Sequence, residues 1–220
     1  MSTIDIAVVD YGMGNLRSVS KALEHVAATK NVVVTSRPED VVKASRVVFP
    51  GQGAMPDCIR ELDARGLRSA VLEAAQSKPF LGICIGLQML FERSEEGDAA
   101  GLGLFQGNVK RFAQTEMFDS QGEKLKVPHM GWNQVYQRKH AESKAHALWQ
   151  GIEDGARFYY VHSYYVQPAD EAIIEGYSDY PKRFTCAIAK DNLFAIQFHP
   201  EKSANAGLQL LSNFVNWSPA

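Results

Sequence analysis

Residues 80–91 read Phe-Leu-Gly-Ile-Cys-Ile-Gly-Leu-Gln-Met-Leu-Phe, an apolar run with one cysteine between two glycines. Phe80 and Leu81 predict a buried strand, and the residues from Leu87 onward predict the start of an apolar helix. A glycine on each side lets the backbone turn sharply between strand and helix, because a Cβ there would be crowded. The stretch is therefore typical of a nucleophile elbow, with Cys84 at its apex.

The rest of the first half alternates strands with helices. Apolar runs predict strands at residues 4–9, 32–34 and 47–49, and helical spacing predicts helices at 16–28 and 57–76, the second broken at Gly66. This alternation is typical of an α/β protein in which a parallel sheet carries helices on both faces. Right-handed crossover connections then make the sheet doubly wound.

The second half of the chain has a different pattern. Runs rich in β-forming residues occur at 158–166, 172–177 and 193–198, and a final helix is predicted at roughly 203–217. These runs predict an antiparallel extension of the mostly parallel sheet. Since the sequence has no repeat, low-complexity run or long linker, we expect residues 1–220 to form a single domain.

Composition argues against several classes of function. Of the 220 residues, 45% are hydrophobic and 22% are charged, and the formal net charge is −2. No basic excess favours nucleic acid or an anionic membrane as a partner, and no apolar run approaches the ~18 residues of a membrane-spanning helix. Three cysteines without CxxC spacing indicate free thiols in a reducing compartment. The free thiols, together with the lack of a signal-peptide profile at the N-terminus, predict a cytoplasmic protein.

The elbow would activate its thiol. Cys84 is expected at the start of a helix, whose dipole favours a thiolate, and the backbone N–H of Ile85 would donate to an oxyanion. Cys58 and Cys186 lack such surroundings and are predicted to be buried structural residues. A second oxyanion donor is expected from the segment that ends a neighbouring strand, namely Gly51, Gln52 and Gly53.

A base and its orienting carboxylate are predicted at His199-Pro-Glu201. Residues i and i+2 of an extended segment point to the same side, so His199 can face the thiol while Glu201 holds the other ring nitrogen. His129 and His162 stay open, since His162 either lines the site or only satisfies a backbone carbonyl. No pair of histidines has convincing metal-ligand spacing, so no metal is expected. Gly12-Met13-Gly14 resembles the start of a dinucleotide fingerprint, but the third glycine would fall at Arg17, so no cofactor is expected either.

Several motifs together resemble a known family. Gly82-Ile-Cys-Ile-Gly-Leu-Gln88 and His199-Pro-Glu201 resemble the class I (triad) glutamine amidotransferases. Residues 10–15 (Asp-Tyr-Gly-Met-Gly-Asn), 128–133 (Pro-His-Met-Gly-Trp-Asn) and 160–164 (Tyr-Val-His-Ser-Tyr) resemble one subgroup of that family, whose ammonia serves histidine biosynthesis. The resemblance runs from about residue 4 to residue 215, nearly the whole chain.

The resemblance implies a glutaminase. Cys84 would attack the side-chain amide of glutamine, His199 would deliver a proton to the departing ammonia, and Glu201 would hold the imidazole. It also implies contacts to substrate glutamine from Gln88, Glu96, Ser163 and Tyr164. Positions that would face a protein partner are Asn15, Arg17, Trp132, Asn133 and Lys202.

That partner is implied to be a cyclase subunit of the HisF type, a (β/α)₈ barrel that forms a heterodimer with the glutaminase. Neutral ammonia would pass from the thiol to the barrel without entering water. The resemblance therefore implies a closed interface over the site. Glutamine would be the small-molecule substrate, and no nucleic acid or membrane partner is expected.

One position departs from the family pattern. Residues 50–53 read Pro-Gly-Gln-Gly, where the family often has Pro-Gly-Val-Gly. We hypothesise that Gln52 hydrogen-bonds locally and shifts the orientation of this segment. Two alternatives remain, a stand-alone hydrolase of the same fold, such as a γ-glutamyl hydrolase, and a non-catalytic regulatory module. Intact residues at Cys84, His199 and Glu201 favour an enzyme over the second.

Overall fold

The computed structural model describes residues 3–119, 121–138 and 145–219. Strands and helices alternate in the first half of the chain, and strands predominate in the second. The strands are β1 (Ile6–Val9), β2 (Val32–Thr35), β3 (Arg46–Gly51), β4 (Phe80–Cys84), β5 (Phe91–Ser94), β6 (Ala99–Ala100), β7 (Phe105–Arg111), β8 (His129–Gln134), β9 (Tyr136–Gln137), β10 (Arg157–His162), β11 (Tyr164–Pro168), β12 (Ile174–Asp179), β13 (Arg183–Lys190) and β14 (Leu193–Ile196).

The helices confirm the sequence-based expectation for most of the chain. Residues 57–76 form two helices rather than one, and the break falls at Gly66, as predicted. The helices are α1 (Leu16–Ala27), α2 (Pro38–Lys43), α3 (Met55–Ala64), α4 (Arg68–Ser77), α5 (Ile85–Gln88) and α6 (Ala204–Asn216), with short 3₁₀ turns at Gln114–Glu116, Ala147–Trp149, Glu171–Ile173 and Pro200–Lys202.

Twelve of the strands in the described ranges form one mixed sheet. Its main path runs β2-β1-β3-β4-β14-β13-β11-β7-β5-β6, with β12 joined to β13 and β9 joined to β12. The pairs from β2 through β14 are parallel, and β14, β13, β11 and β7 then pair antiparallel in turn. The predicted parallel sheet with an antiparallel extension is therefore confirmed.

The core lies on both faces of the parallel half. Every residue of β1, β4 and β14 is buried, as expected for strands covered by helices on both sides. Helix α1 packs against α6, and α2 packs against α4. None of the described helices is long and apolar enough to cross a membrane.

The turn after β4 is set by a very close backbone approach. A Cβ placed on Gly86 would lie 1.9 Å from the carbonyl oxygen of Phe49 in β3. A Cβ on Gly82 would lie 2.9 Å from the Cβ of Ala195 and 3.2 Å from the carbonyl oxygen of Gly86. Only glycine leaves room for these contacts, so both glycines that bracket Cys84 are required by packing.

One local expectation was wrong. The apolar helix predicted from Leu87 through Phe91 is the single turn α5, and Phe91 begins β5. Phe91 and its neighbours pair with β7, so sheet pairing outweighs local helical spacing there. The β-rich run at 158–166 does form strands, but it is divided at Ser163 into β10 and β11, which enter different sheets.

Strand β10 instead pairs antiparallel with β8 as a two-stranded ribbon beside the main sheet. Burial alternates along both strands, with Phe158, Tyr160 and His162 buried on β10. On β8, His129 is buried whereas Met130 and Trp132 are exposed. The ribbon therefore has an inner face that packs on the protein and an outer face that meets solvent.

We expect Gly86→Ala to destabilise the protein severely, by more than the roughly 1–3 kcal/mol typical of core overpacking, because the added Cβ meets backbone. Gly66→Ala is the matched control. Gly66 has a φ of 66° but nothing within 4 Å of an added Cβ, so only the left-handed conformation is penalised, by about 1–2 kcal/mol. Urea unfolding of the two variants would measure both losses, and equal losses would contradict the steric account.

Candidate active site

The candidate site lies where three adjacent parallel strands end. β4 ends at Cys84, β3 ends opposite it at Gly51, and β14 ends three residues before His199. Ligands of open α/β sheets bind at such carboxyl ends. A cavity of about 270 Å³ lies there, and its lining includes Gln52, Gly53, Cys84, Ile85, Gln88, Glu96, Pro128, Val161, His162, Ser163, Tyr164 and His199.

Cys84 has a backbone conformation that few non-glycine residues adopt. Its φ is 57° and its ψ is −111°, the kind of strain that concentrates at functional sites. The residue is buried, and Nε2 of Gln197 donates to its Sγ at 3.7 Å. Helix α5 is only one turn long, so its dipole is smaller than that of the longer helix predicted from the sequence.

His199 connects the sulfur to a buried carboxylate. Its Nδ1 lies 2.9 Å from Oε1 of Glu201, and the segment 200–202 is a 3₁₀ turn rather than the expected extended chain. Nε2 is buried without a hydrogen bond of standard geometry, yet it lies within the electrostatic reach of Cys84. Burial lowers the pKa of His199, but attraction to Cys84 and Glu201 outweighs burial and raises that pKa to about 10. The structure thus brings the three predicted residues together as a coupled unit.

The other two cysteines have a different environment. Burial raises the pKa of both Cys58 and Cys186 to about 11, so both are neutral thiols at physiological pH. Cys186 is fully buried, and Cys58 donates its S–H to the carbonyl oxygen of Gln52 at 3.7 Å. Both match the predicted structural role.

The predicted oxyanion segment borders the cavity only in part. Gln52 and Gly53 line it, whereas Gly51 is enclosed, since a Cβ there would lie 2.0 Å from the hydroxyl of Tyr11 and 3.2 Å from the Cβ of Ile85. Gly53 has a φ of 111°, a conformation that favours glycine. Ile85 lines the cavity next to Cys84. The roles of these residues as donors stay predictions.

The hypothesis that Gln52 forms a local side-chain hydrogen bond finds no support in this conformation. Gln52 is exposed, and its side chain makes no hydrogen bond to the part of the chain that the structure describes. Tyr11 was not predicted from the sequence, and its hydroxyl lies against Gly51 in the same segment. Its buried hydroxyl has no standard hydrogen-bond partner in the described ranges, and burial, followed by Cys58, raises its pKa well above the usual value.

Gln88 is held in a buried amide network. Its Nε2 donates to the carbonyl oxygen of Tyr164 at 3.0 Å and to Oε1 of Gln197 at 2.9 Å, while its Oε1 is buried without a partner in the described residues. Gln197 was not predicted. The signal was available, because Gln197 is an amide in the apolar run that directly precedes His199.

The remaining predicted substrate residues also reach the cavity. Oε2 of Glu96 accepts the backbone N–H of Met55 at 2.8 Å, so this carboxylate caps the start of α3 as well as lining the cavity. Ser163 and Tyr164 form the cavity wall between β10 and β11. Contact of any of them with glutamine stays a prediction.

The residues predicted to face a partner fall into two groups. Trp132 is 50% exposed and packs edge-on against Tyr159, over whose ring Nζ of Lys202 lies at 5.6 Å. Asn133 is half-buried, and its side chain bonds within the protein, donating to the carbonyl oxygen of Asp179 at 2.9 Å. Asn15 and Arg17 begin α1, where Arg17 is exposed and Asn15 is half-buried.

The two histidines left open by the sequence lie together. His162 lines the cavity and also bonds a backbone carbonyl, that of Tyr164, so both alternatives hold at once. Nδ1 of His129 lies 2.9 Å from Nε2 of His162. Within the described ranges, no three His, Cys, Asp or Glu side chains are grouped as metal ligands.

Comparison with known proteins agrees with this geometry. The family model for class-I glutamine amidotransferases matches residues 7–217. Solved structures with the same fold include the glutaminase domain of Trypanosoma brucei CTPS with bound acivicin (TM-score 0.64, 16% identity, 99% of this chain and 96% of that one) and PurLQS from Thermotoga maritima (TM-score 0.66, 18% identity, 98% and 99%). The chain is thus of the class-I glutamine amidotransferase type in both sequence and fold.

Curated relatives narrow the family. The imidazole glycerol phosphate synthase subunit HisH of Dechloromonas aromatica is 67% identical over 214 residues, which cover 97% of each chain. HisH of Thiobacillus denitrificans is 65% identical over 217 residues, which cover 99% of this chain and 93% of that protein. This chain therefore belongs, within the class-I glutamine amidotransferases, to the HisH family.

The stability of the protein should depend on pH through His129 and His162, whose pKa values are both lowered. Burial lowers the pKa of His129 to about 4, and burial followed by repulsion from His129 lowers that of His162 to about 3, against an ordinary value of 6.5. The unfolded chain therefore binds more protons below pH 6.5. The free energy of unfolding should fall as the pH drops from 6.5 toward 4, by up to about 1.4 kcal/mol per pH unit for each histidine.

Urea unfolding of the protein and of His162→Phe across this pH range would measure the contribution of that histidine. The variant should show a flatter dependence on pH, because it has lost one group that titrates only on unfolding. Identical slopes for the two proteins would contradict the assigned pKa direction.

Proposed function

We propose that this chain is the glutaminase subunit of imidazole glycerol phosphate synthase, with Cys84 as nucleophile, His199 as proton carrier and Glu201 as its orienting carboxylate. The observation that carries the assignment of roles is the coupling of a strained, cavity-lining cysteine to a buried His–Glu pair. Membership of the HisH family supports the choice of reaction.

The first half of the reaction forms a thioester. The Cys84 thiolate attacks the carboxamide carbon of glutamine, and the carbonyl oxygen becomes an oxyanion that backbone N–H groups at Ile85 and the segment 51–53 stabilise. Nε2 of His199 gives its proton to the amide nitrogen. The C–N bond breaks, and ammonia leaves.

The second half releases glutamate. A water molecule attacks the thioester carbon and gives a proton to the now neutral His199. The C–S bond then breaks, the thiolate reforms, and the Cys84–His199 pair returns to its starting charges. Glu201 fixes the ring orientation in both halves through its contact with Nδ1 of His199.

Substrate recognition is assigned to the amide network beside the thiol. The Nε2 donors of Gln88 are already used, so its free Oε1 can only accept a hydrogen bond. We assign it to an N–H group of glutamine. Glu96 provides the negative charge suited to the α-ammonium group, and Ser163 with Tyr164 provides the backbone of the opposite wall.

The ammonia is passed to a HisF-type cyclase, a (β/α)₈ barrel, for synthesis of imidazole glycerol phosphate and an aminoimidazole carboxamide ribotide. The relatives are named as subunits, which supports the presence of a partner subunit. We assign the docking surface to the exposed face around Trp132 and Lys202, together with the start of α1 at Asn15 and Arg17. Trp is a common anchor at interfaces. The assembly is proposed to be cytoplasmic.

A stand-alone γ-glutamyl hydrolase is the main alternative, and a non-catalytic module is the other. An assay of glutamine hydrolysis distinguishes these functions. The rate is measured for the isolated chain and for the chain with its cyclase partner. The proposed subunit should have low activity alone and gain activity with the partner. Full activity alone would favour the hydrolase, and no labelling of Cys84 by a glutamine-like electrophile would favour the module.

Cys84→Ala should abolish glutamine-dependent synthesis by the complex, with a loss of at least about 10³-fold, because the nucleophile is removed. Synthesis from added ammonium salt should persist, since it needs only the cyclase. Cys186→Ala is the matched control, because Cys186 is an equally buried thiol outside the cavity and its loss should leave glutamine use intact. Full glutamine-dependent turnover in Cys84→Ala would overturn the assignment.

Gln52→Val should change both basal and partner-stimulated glutaminase rates by less than about twofold, because its side chain holds nothing in this conformation and backbone donors do not need it. Steady-state rates with and without the cyclase would measure this. A larger change in either state would restore the hypothesis that this side chain controls the orientation of the segment.

A further inference from the structure

The ribbon of β8 and β10 carries two buried histidines that the proposed chemistry does not use. Its register places His129 directly opposite His162, so both rings lie on the inner face. His162 also lines the cavity that contains Cys84 and Gln88. The pair therefore connects the inner face of the ribbon to the wall of the candidate active site.

The hydrogen bonds of the pair have one possible direction. Nδ1 of His162 lies 2.7 Å from the carbonyl oxygen of Tyr164, which can only accept, so Nδ1 carries the proton. In a neutral ring, Nε2 of His162 must then accept. It lies 2.9 Å from Nδ1 of His129, which must donate, and this leaves Nε2 of His129 as an acceptor.

These hydrogen bonds form a chain that runs from Asn133 to Tyr164, and at its Asn133 end a donor faces Nε2 of His129. Nδ2 of Asn133 lies 3.3 Å from Nε2 of His129. The orientation of this amide is fixed independently, because its Nδ2 also donates to the carbonyl oxygen of Asp179 at 2.9 Å and its Oδ1 accepts the N–H of Gln134 at 2.8 Å. The donors therefore run without conflict from Asn133 through His129 and His162 to Tyr164.

The other end of this hydrogen-bond chain, at Tyr164, lies in the wall of the proposed glutamine pocket. The carbonyl oxygen of Tyr164 accepts from His162 and, at 3.0 Å, from Nε2 of Gln88. Movement of this carbonyl would move the anchor of Gln88, whose free Oε1 is the assigned substrate acceptor. These hydrogen bonds therefore end at the carbonyl that anchors Gln88, and among the described residues none of them involves His199 or Glu201.

The surroundings keep both rings neutral. His129 lies between the rings of Tyr160 and Tyr180, with centroid distances of 4.8 and 3.9 Å, and Phe112 and Phe184 pack against both histidines. Among the described residues, neither ring forms an ion pair with a carboxylate, and the nearby charge of His199 lowers the pKa of His162 further. This apolar cage lowers the pKa of each histidine far below neutrality.

We propose that His129 and His162 are positioning residues for glutamine, acting as a one-directional hydrogen-bond chain that fixes the Tyr164 carbonyl and, through it, Gln88. This inference rests on the proposed glutaminase function of the cavity. The outer face of the same ribbon exposes Met130 (63%) and Trp132 (50%), so the chain also links the assigned docking surface to the pocket. A partner that shifts the ribbon would shift Tyr164.

Substitutions at His162 separate this role from simple packing. His162→Phe keeps an aromatic ring in the cage but removes the donor to Tyr164, whereas His162→Asn loses ring volume but places an amide N–H near the position of Nδ1. Positioning predicts that the glutaminase KM of the complex rises about tenfold in His162→Phe and clearly less in His162→Asn, with kcat changed less than KM. A packing role predicts the reverse order.

His146→Phe is the matched control. His146 is a half-buried histidine that packs on Phe194 and Trp217 and makes none of these contacts, so its loss should leave the KM for glutamine within about twofold. If both His162 variants also stay within twofold while the unmodified complex hydrolyses glutamine, the positioning role is overturned and the proposed function stands. An unmodified complex that does not hydrolyse glutamine would overturn the function itself.

Nitrogen-15 NMR of the unmodified protein tests the hydrogen-bond chain directly, because it reports which ring nitrogen of each histidine carries the proton. No substituted protein has to fold for this test. At neutral pH, both His129 and His162 should be neutral with the proton on Nδ1, which is fixed by the acceptor at Tyr164. A ring with its proton on Nε2, or a charged ring, would overturn the proposal.

Discussion

Gly86 lies against the carbonyl oxygen of Phe49, so close that a single added carbon would stand 1.9 Å from it. This contact brings the turn after β4 onto the end of β3, and the strained conformation of Cys84 follows from it. Cys84, residues 51–53 and His199 then meet because β3, β4 and β14 are neighbours in one parallel sheet. A change at this contact would therefore disturb every part of the site at once.

The ribbon of β8 and β10 holds the site from the opposite side. The carbonyl oxygen of Tyr159 accepts the N–H of His199 at 2.9 Å, and the ring of Tyr159 packs against Trp132 on the outer face. At the other end of β10, His162 holds Tyr164. The ribbon thus contacts both His199 and Tyr164 while its outer face exposes Met130 and Trp132, and this arrangement supports the proposal that a partner acts on the site through the ribbon.

Sequence reasoning predicted most of the fold because the central strands are continuous apolar runs and the glycines beside Cys84 have a purely steric cause. It failed after the elbow, where pairing of Phe91 with β7 decides the structure and no local pattern reports it. The grouping of Cys84, His199 and Glu201 was predictable from residue types and order. The contacts of Gln197 and Tyr11 were not, because they depend on which strands become neighbours and on how deeply each polar atom is buried.

Gln88 has a consequence for the end of the catalytic cycle. Its buried Oε1 offers only lone pairs, which suits a substrate carboxamide that carries N–H groups. Hydrolysis replaces that carboxamide with a carboxylate, which also offers only lone pairs. Under the proposed assignment, the oxygen that accepts a hydrogen bond from glutamine would repel the carboxylate of glutamate, so the pocket distinguishes substrate from product by the loss of a hydrogen-bond donor rather than by size. Product inhibition should therefore be weak.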